Sequence, residues 1–134
     1  MKREFLFFQR VCPYFSPEVI FQLNCNSKWR ETVSVGFAAT MLAEIGVDSV
    51  KFYLIDGDQR LDEVAEMVKA ATGAGIKVFE PTGGITLENV EPIVQTCLEN
   101  GAQIVIPHLY TSLVDMDSGE TRIGDIERLI SMEW

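Results

Sequence analysis

Three short stretches hold residue types that can do chemistry. The first is Ser49–Ile55 (SVKFYLI), where Lys51 stands between Val50 and Phe52. Side chains alternate across a strand, so Val50 and Phe52 share one face while Lys51 and Tyr53 share the other. If the Val50/Phe52 face meets helices, Lys51 points to the inner side of a sheet. Desolvation there lowers an amine's pKa and makes it a nucleophile for a ketone. The competing reading is a strand lysine with a packed stem and a hydrated ammonium.

The second stretch is Glu80-Pro81-Thr82-Gly83-Gly84-Ile85, between a strand and a helix. Two consecutive glycines let backbone N–H groups converge on an anion, the helix N-terminus adds its dipole, and Thr82 adds a hydroxyl. Pro-Thr-Gly-Gly equally suits a tight turn. The third is Ile106-Pro107-His108-Leu109-Tyr110-Thr111-Ser112. His108 is the only histidine, and imidazole is the side chain that titrates near neutral pH. It could equally be a structural hydrogen-bonding group. Thr111 and Ser112 are either phosphate donors or turn formers. Asp115, Asp117, Ser118, Gly119 and Glu120 suggest calcium by composition, but the EF-hand ligand spacing is missing and a solvated turn fits better.

The elements that must position these residues are strands and helices in alternation. Ser49–Ile55, Ile76–Glu80 and Gln103–Pro107 read as strands. Each follows a glycine at a helix C-terminus: Gly46, Gly73 or Gly75, and Gly101. Apolar stripes at helix spacing fill the intervals: Val35, Ala38, Ala39, Leu42 and Ile45; Leu61, Val64, Ala65, Val68 and Ala71; Val90, Ile93, Val94, Cys97 and Leu98. Pro92 fits the third helix if Asn89 caps it. A last helix is expected over about Arg122–Met132, with Thr121 as its cap and Ile126, Leu129 and Ile130 on its apolar face.

This order predicts an α/β fold with parallel strands joined by right-handed crossovers. A doubly wound sheet and a piece of a (β/α)8 barrel both satisfy it. Residues 1–33 break the pattern. Within them Glu4–Arg10 and Val19–Leu23 are candidate strands, Pro13 and Pro17 lie in a loop between, and Asn24–Glu31 is loop-like.

The chain has 134 residues, enough for one domain. A formal net charge of −9 and a pI of about 4.5 argue against nucleic-acid binding. Cys12, Cys25 and Cys97 form no CxxC pair, so reduced thiols and a cytoplasmic location are expected, with no zinc or other metal site. No apolar stretch approaches the roughly 20 residues of a membrane span. The start, Met1–Phe8, has a signal-like charge and apolar centre, but Glu4, Gln9 and Arg10 shorten it and no small-x-small cleavage site follows.

Taken together these segments resemble a known family. Pro81-Thr82-Gly83-Gly84-Ile85 resembles the PTGGI phosphate loop of 2-keto-3-deoxy-6-phosphogluconate aldolases, and Val50-Lys51-Phe52-Tyr53 the strand bearing their Schiff-base lysine. Glu80–Asn89, Ile106–Ser112 and Asp115–Arg122 are similar to E-P-T-G-G-I-x-L-E-N, I-P-H-x-Y-[ST]-S and D-x-x-S-G-x-T-R of the bacterial KDGP-aldolase branch. The resemblance runs from near Val33 to about Met132. Members are (β/α)8 barrels of roughly twice this length. It therefore implies a half-barrel over residues 34–134, made of the last three βα units, preceded by an unmatched segment, 1–33. The expected origin is a truncated or frame-disrupted gene product.

By the same resemblance Lys51 forms an imine with pyruvate or a phosphorylated keto-sugar acid. Thr82, Gly83 and Gly84 hold carboxylate or phosphate, with His108 and Ser112 as further binding residues. The chemistry is aldol cleavage to pyruvate and an aldehyde phosphate, without a cofactor. Two departures stand out. The family strand continues Lys-[FY]-Phe-Pro, whereas here Leu54-Ile55-Asp56 follows Tyr53. The Glu base and substrate-binding Arg of the better-known aldolases have no counterpart in context, since Glu18 and Arg30 match only in type; His108 and Glu80 are the remaining bases. The alternatives are a non-catalytic phosphate-binding half-barrel and a self-associating module. Three parallel strands would leave two free edges and an open face, so a homo-oligomer is expected.

Overall fold

The computed structural model describes residues 7–10, 18–22, 31–53 and 55–134. The expected loop around Pro13 and Pro17, the expected loop over Asn24–Glu31 except Glu31, the signal-like start except Phe7 and Phe8, and Cys12 and Cys25 lie outside them; Glu31 is a strand residue rather than part of a loop. Three antiparallel strands come first: β1 (Phe7–Arg10), β2 (Glu18–Gln22) and β3 (Glu31–Ser34). Then follow α1 (Val35–Glu44), β4 (Ser49–Tyr53), α2 (Leu61–Gly73), β5 (Val78–Thr82), α3 (Val90–Glu99), β6 (Ile104–Val105) and α4 (Ile123–Ile130). Among the described residues the sheet has six strands in the order β3-β2-β1-β4-β5-β6.

The alternation in the sequence thus produces an α/β fold in which β4, β5 and β6 are parallel neighbours. The expectation of two free edges on that trio needs correction. β1 pairs parallel with β4, placing Phe7 opposite Lys51 and Gln9 opposite Tyr53. Hydrophobic periodicity identified the βα units, but it carries no information on which strand an irregular N-terminal segment will pair with.

Helix ends explain the strand spacing. In α1 the N–H of Gly46 bonds Ala43 O at 3.0 Å and that of Val47 bonds Leu42 O at 3.2 Å. The same pair of bonds recurs at Gly75/Ile76 after α2 and Gly101/Ala102 after α3. Each is a Schellman motif that terminates the helix and turns the chain back into the sheet. Gly75, rather than Gly73, fills the left-handed position after α2.

β5 begins two residues later than the sequence suggests and runs through Pro81 and Thr82. Pro81 accepts from the His108 N–H at 3.1 Å but has no N–H to return. The regular pairing of β6 stops short of it, at Val105.

The core lies on one face of the parallel strands. Val50, Phe52 and Phe79 pack there under Ala38, Leu42, Val64, Met67, Val68, Val90, Ile93 and Cys97, all buried. Some stripe positions fall outside this contact. Ile45 and Leu98 sit at helix ends and are exposed. Ile130 is exposed too, while Leu129 and Met132 carry the packing of the last helix.

Two caps also differ from expectation. Ser34, not anticipated, caps α1 by accepting from the Phe37 N–H at 3.2 Å. α4 starts after Arg122 without a side-chain cap, because Thr121 is drawn into a bridge with Val114.

Candidate active site

The face of β4 opposite the core carries Ser49, Lys51 and Tyr53, as alternation requires once Val50 and Phe52 are buried under the helices. On β5 the same face carries Glu80 and Thr82, with Glu80 in register with Lys51. His108 bridges Thr82 from the segment after β6, so it joins this surface.

A continuous chain of hydrogen bonds crosses these elements. Lys51 Nζ donates to the Tyr110 hydroxyl at 2.8 Å. That hydroxyl meets His108 Nδ1 at 2.8 Å. His108 Nε2 meets Glu80 Oε2 at 2.9 Å. Ser49 Oγ donates to the other carboxylate oxygen, Oε1, at 2.6 Å. The Lys51 ammonium also lies 5.3 Å from the centre of the Tyr110 ring, within cation–π range.

Donor and acceptor roles follow from the chemistry of each group. A carboxylate only accepts, so Nε2 of His108 carries a hydrogen. In the neutral ring Nδ1 is then an acceptor, and Tyr110 donates to it while receiving from Lys51. The three bonds from Lys51 to Glu80 all point the same way, from the amine to the carboxylate, and Ser49 donates to the carboxylate from the other end. Glu80 is buried, yet both of its oxygens are satisfied, which is the condition for keeping a carboxylate there.

The glycine pair is held by a second set of contacts. Gly83 and Gly84 have φ of 104° and 71°. A Cβ on Gly84 would meet the Gly57 backbone N at 2.7 Å, and one on Gly57 would meet Gly84 O at 2.9 Å. The loops after β4 and β5 therefore approach so closely that neither admits a side chain, and Gly57 N donates to Gly83 O at 3.0 Å. Asp56 beside them holds φ of 57°, an uncommon conformation for a residue with a side chain.

Asn89 occupies the cap position of α3 but makes no side-chain bond to that helix. It secures the loop instead, accepting from Thr86 N at 2.8 Å and donating to Gly84 O at 3.0 Å.

The sequence-derived residues are thus only partly gathered. Lys51 and His108 are linked through Tyr110, Thr82 adjoins His108, and Gly83–Gly84 follow directly. No hydrogen bond ties the Ser112 side chain to the rest; its Oγ, like that of Thr82, is buried without a protein partner. Ser112 O accepts from the Arg122 guanidinium. Tyr110 and Ser49 were missed as site residues. For Ser49, two positions from Lys51 on β4, same-face spacing was the available signal; Tyr110 lies in a turn, where strand alternation offers none.

Elsewhere, Asp115 Oδ1 accepts from Ser118 N at 2.9 Å, Ser118 Oγ at 3.0 Å and Asp117 N at 3.1 Å. The Ser118 backbone N–H above all holds the Asp115 carboxyl below its usual range. Among the described residues, no three His, Cys, Asp or Glu side chains converge to hold a metal ion. Nor, among them, is any helix long and apolar enough to cross a membrane.

Polar groups collected toward the C-terminal ends of parallel strands define an α/β protein with a candidate site where such sheets place one. Residues 22–117 match the model of the KDGP aldolase family. The 2-dehydro-3-deoxy-phosphogluconate aldolase of Salmonella typhimurium (strain 14028s / SGSC 2262) is 40% identical over 100 residues, 75% of this chain. The chain belongs to the KDGP aldolase family. The matched region spans 40% of the length of that curated relative.

Proposed function

We propose that this chain captures a 2-keto acid as an imine on Lys51 and supports aldol cleavage of 2-keto-3-deoxy-phosphogluconate-type substrates. The observation that carries this is the Lys51 ammonium on the face opposite the core, held at 2.8 Å by Tyr110. The amine nitrogen adds to the C2 carbonyl, and loss of water leaves a protonated imine. The C4 hydroxyl then gives its proton to a base, for which His108 and Glu80 are the available groups; the C3–C4 bond breaks, its electron pair forms the C2–C3 double bond, and the imine π pair passes to nitrogen, leaving an enamine. An aldehyde phosphate leaves, and protonation at C3 followed by hydrolysis releases pyruvate.

Thr82 and Ser112 suit the anionic end of such a substrate. A buried hydroxyl without a partner costs about 1–3 kcal/mol, and a carboxylate or phosphate oxygen relieves that cost. The left-handed Gly83–Gly84 turn lets a ligand approach the backbone closely. With this reading goes a half-barrel architecture for residues 34–134, the segment up to about residue 33 lying outside the repeat. Supporting it, α1 packs on α2 and α2 on α3, consecutively, while a doubly wound sheet distributes its helices over both faces.

Borohydride trapping with pyruvate, followed by peptide mapping, tests the activity. The expected result is a stable adduct on the Lys51 peptide that Lys51→Ala abolishes. A folded protein with no adduct would exclude imine chemistry.

A second reading, self-association, is favoured by the exposed apolar residues around the polar chain. Tyr53, Ile104, Ile106 and Tyr110 are 40%, 54%, 45% and 63% exposed. It predicts a melting temperature that rises with protein concentration, independent of ligand.

A further inference from the structure

The geometry points to Tyr110 as the catalytic residue that moves the Lys51 proton, with His108 as its reservoir and Glu80 as the group that orients the ring. This inference rests on the imine reading of Lys51. An ammonium has no lone pair, so Lys51 must give up a proton before it can attack a carbonyl. The Tyr110 oxygen stands 2.8 Å from Nζ and 2.8 Å from His108 Nδ1, so it can accept on one side while donating on the other.

The transfer balances without any further reactant. One N–H proton of Lys51 passes to the Tyr110 oxygen as the Tyr110 proton passes to Nδ1. The products are a neutral amine and an imidazolium whose Nε2–H stays on Glu80 at 2.9 Å. The amine then attacks the carbonyl carbon. The stored proton returns through Tyr110 to the carbinolamine hydroxyl, which leaves as water, giving the protonated imine and restoring neutral His108.

Each part of the chain has a reason to be where it is. Glu80 offsets the imidazolium charge in a site where His108 is only 18% exposed at its side chain. The Ser49 hydroxyl occupies the second oxygen of Glu80, so the carboxylate does not turn away from the ring. Tyr110 itself is mostly exposed, so nothing in the core depends on its hydroxyl. The titratable groups facing the ring are Glu80 from β5, Lys51 from β4 by way of Tyr110, and Tyr110 itself.

The test is the rate of imine formation with pyruvate, measured by timed borohydride quench and intact mass over a range of pH. Wild type, Tyr110→Phe, His108→Asn and Lys51→Ala are compared, with folding checked by thermal melting. Tyr110→Phe is expected to slow adduct formation on Lys51 by about 100-fold while leaving its final extent unchanged. His108→Asn is expected to slow it comparably and to change the pH profile of the rate. Either variant matching the wild-type rate and profile, with Lys51 still trapped, would overturn the relay and leave the imine reading standing. A wild type that traps nothing on Lys51 would overturn both.

Discussion

The carboxylate of Glu80 and the imidazole of His108 meet at 2.9 Å across two adjacent parallel segments. The contact depends on the register that places His108 beside Thr82. Because His108 is the only histidine, its ring is observable alone. Nitrogen-15 spectra of histidine-labelled protein are expected to show a preference for the tautomer with its hydrogen on Nε2. Glu80→Ala is expected to lose that preference, since no carboxylate then fixes the tautomer. It should also cost about 1.5–3 kcal/mol in chemical unfolding, the usual worth of a hydrogen bond to a charged group. An unchanged tautomer in the variant would show that the ring is oriented by something other than Glu80.

Gly84→Ala tests the close approach of the two loops. The added methyl would lie 2.7 Å from the Gly57 nitrogen, which is backbone and cannot swing aside, and φ of 71° strains any residue with a Cβ. A loss of about 1–3 kcal/mol is expected from the strain alone. The stabilisation of the fold by added phosphate should fall as well, if the Gly83–Gly84 turn holds the anion. Gly36→Ala serves as the control, because its Cβ would meet nothing within 4 Å.

What could be read from the residues depended on how local the determining physics is. Helix stripes and C-terminal glycines are encoded within one turn, so Val64, Val68 and Ala71 or Gly46 and Gly101 could be placed directly. Lys51 could be assigned to the face opposite Val50 and Phe52 by alternation alone. The pairing of β1 with β4 could not, because it joins residues far apart in a segment with no repeat. Nor could the link from Lys51 to Tyr110, 59 positions later, which requires the register of β4 on β5 and of His108 on Thr82. Asn89 takes the cap position of α3 as expected, but its side chain does not bond that helix, for a related reason. Its position and residue type suit a cap, but the neighbouring glycine turn offers its amide two better partners.

Cys97 provides a test of the core by pH. It is buried on α3, and burial alone pushes its thiol from 9.0 up to about 12. The folded protein therefore keeps the thiol protonated where the unfolded chain already ionises. The stability this represents is complete below the unfolded value of 9.0 and is lost as pH rises from there toward about 12. Between those limits the folded thiolate population is smaller by about a thousandfold at most, so alkylation of the folded protein should bypass Cys97. Iodoacetamide labelling with peptide mapping is expected to mark the Cys97 peptide only after denaturant is added. Cys97→Ala should flatten the fall in stability at alkaline pH, at a small cost in packing at neutral pH. Rapid labelling of Cys97 in the native protein would mean that α3 opens from the sheet far more readily than its buried face implies.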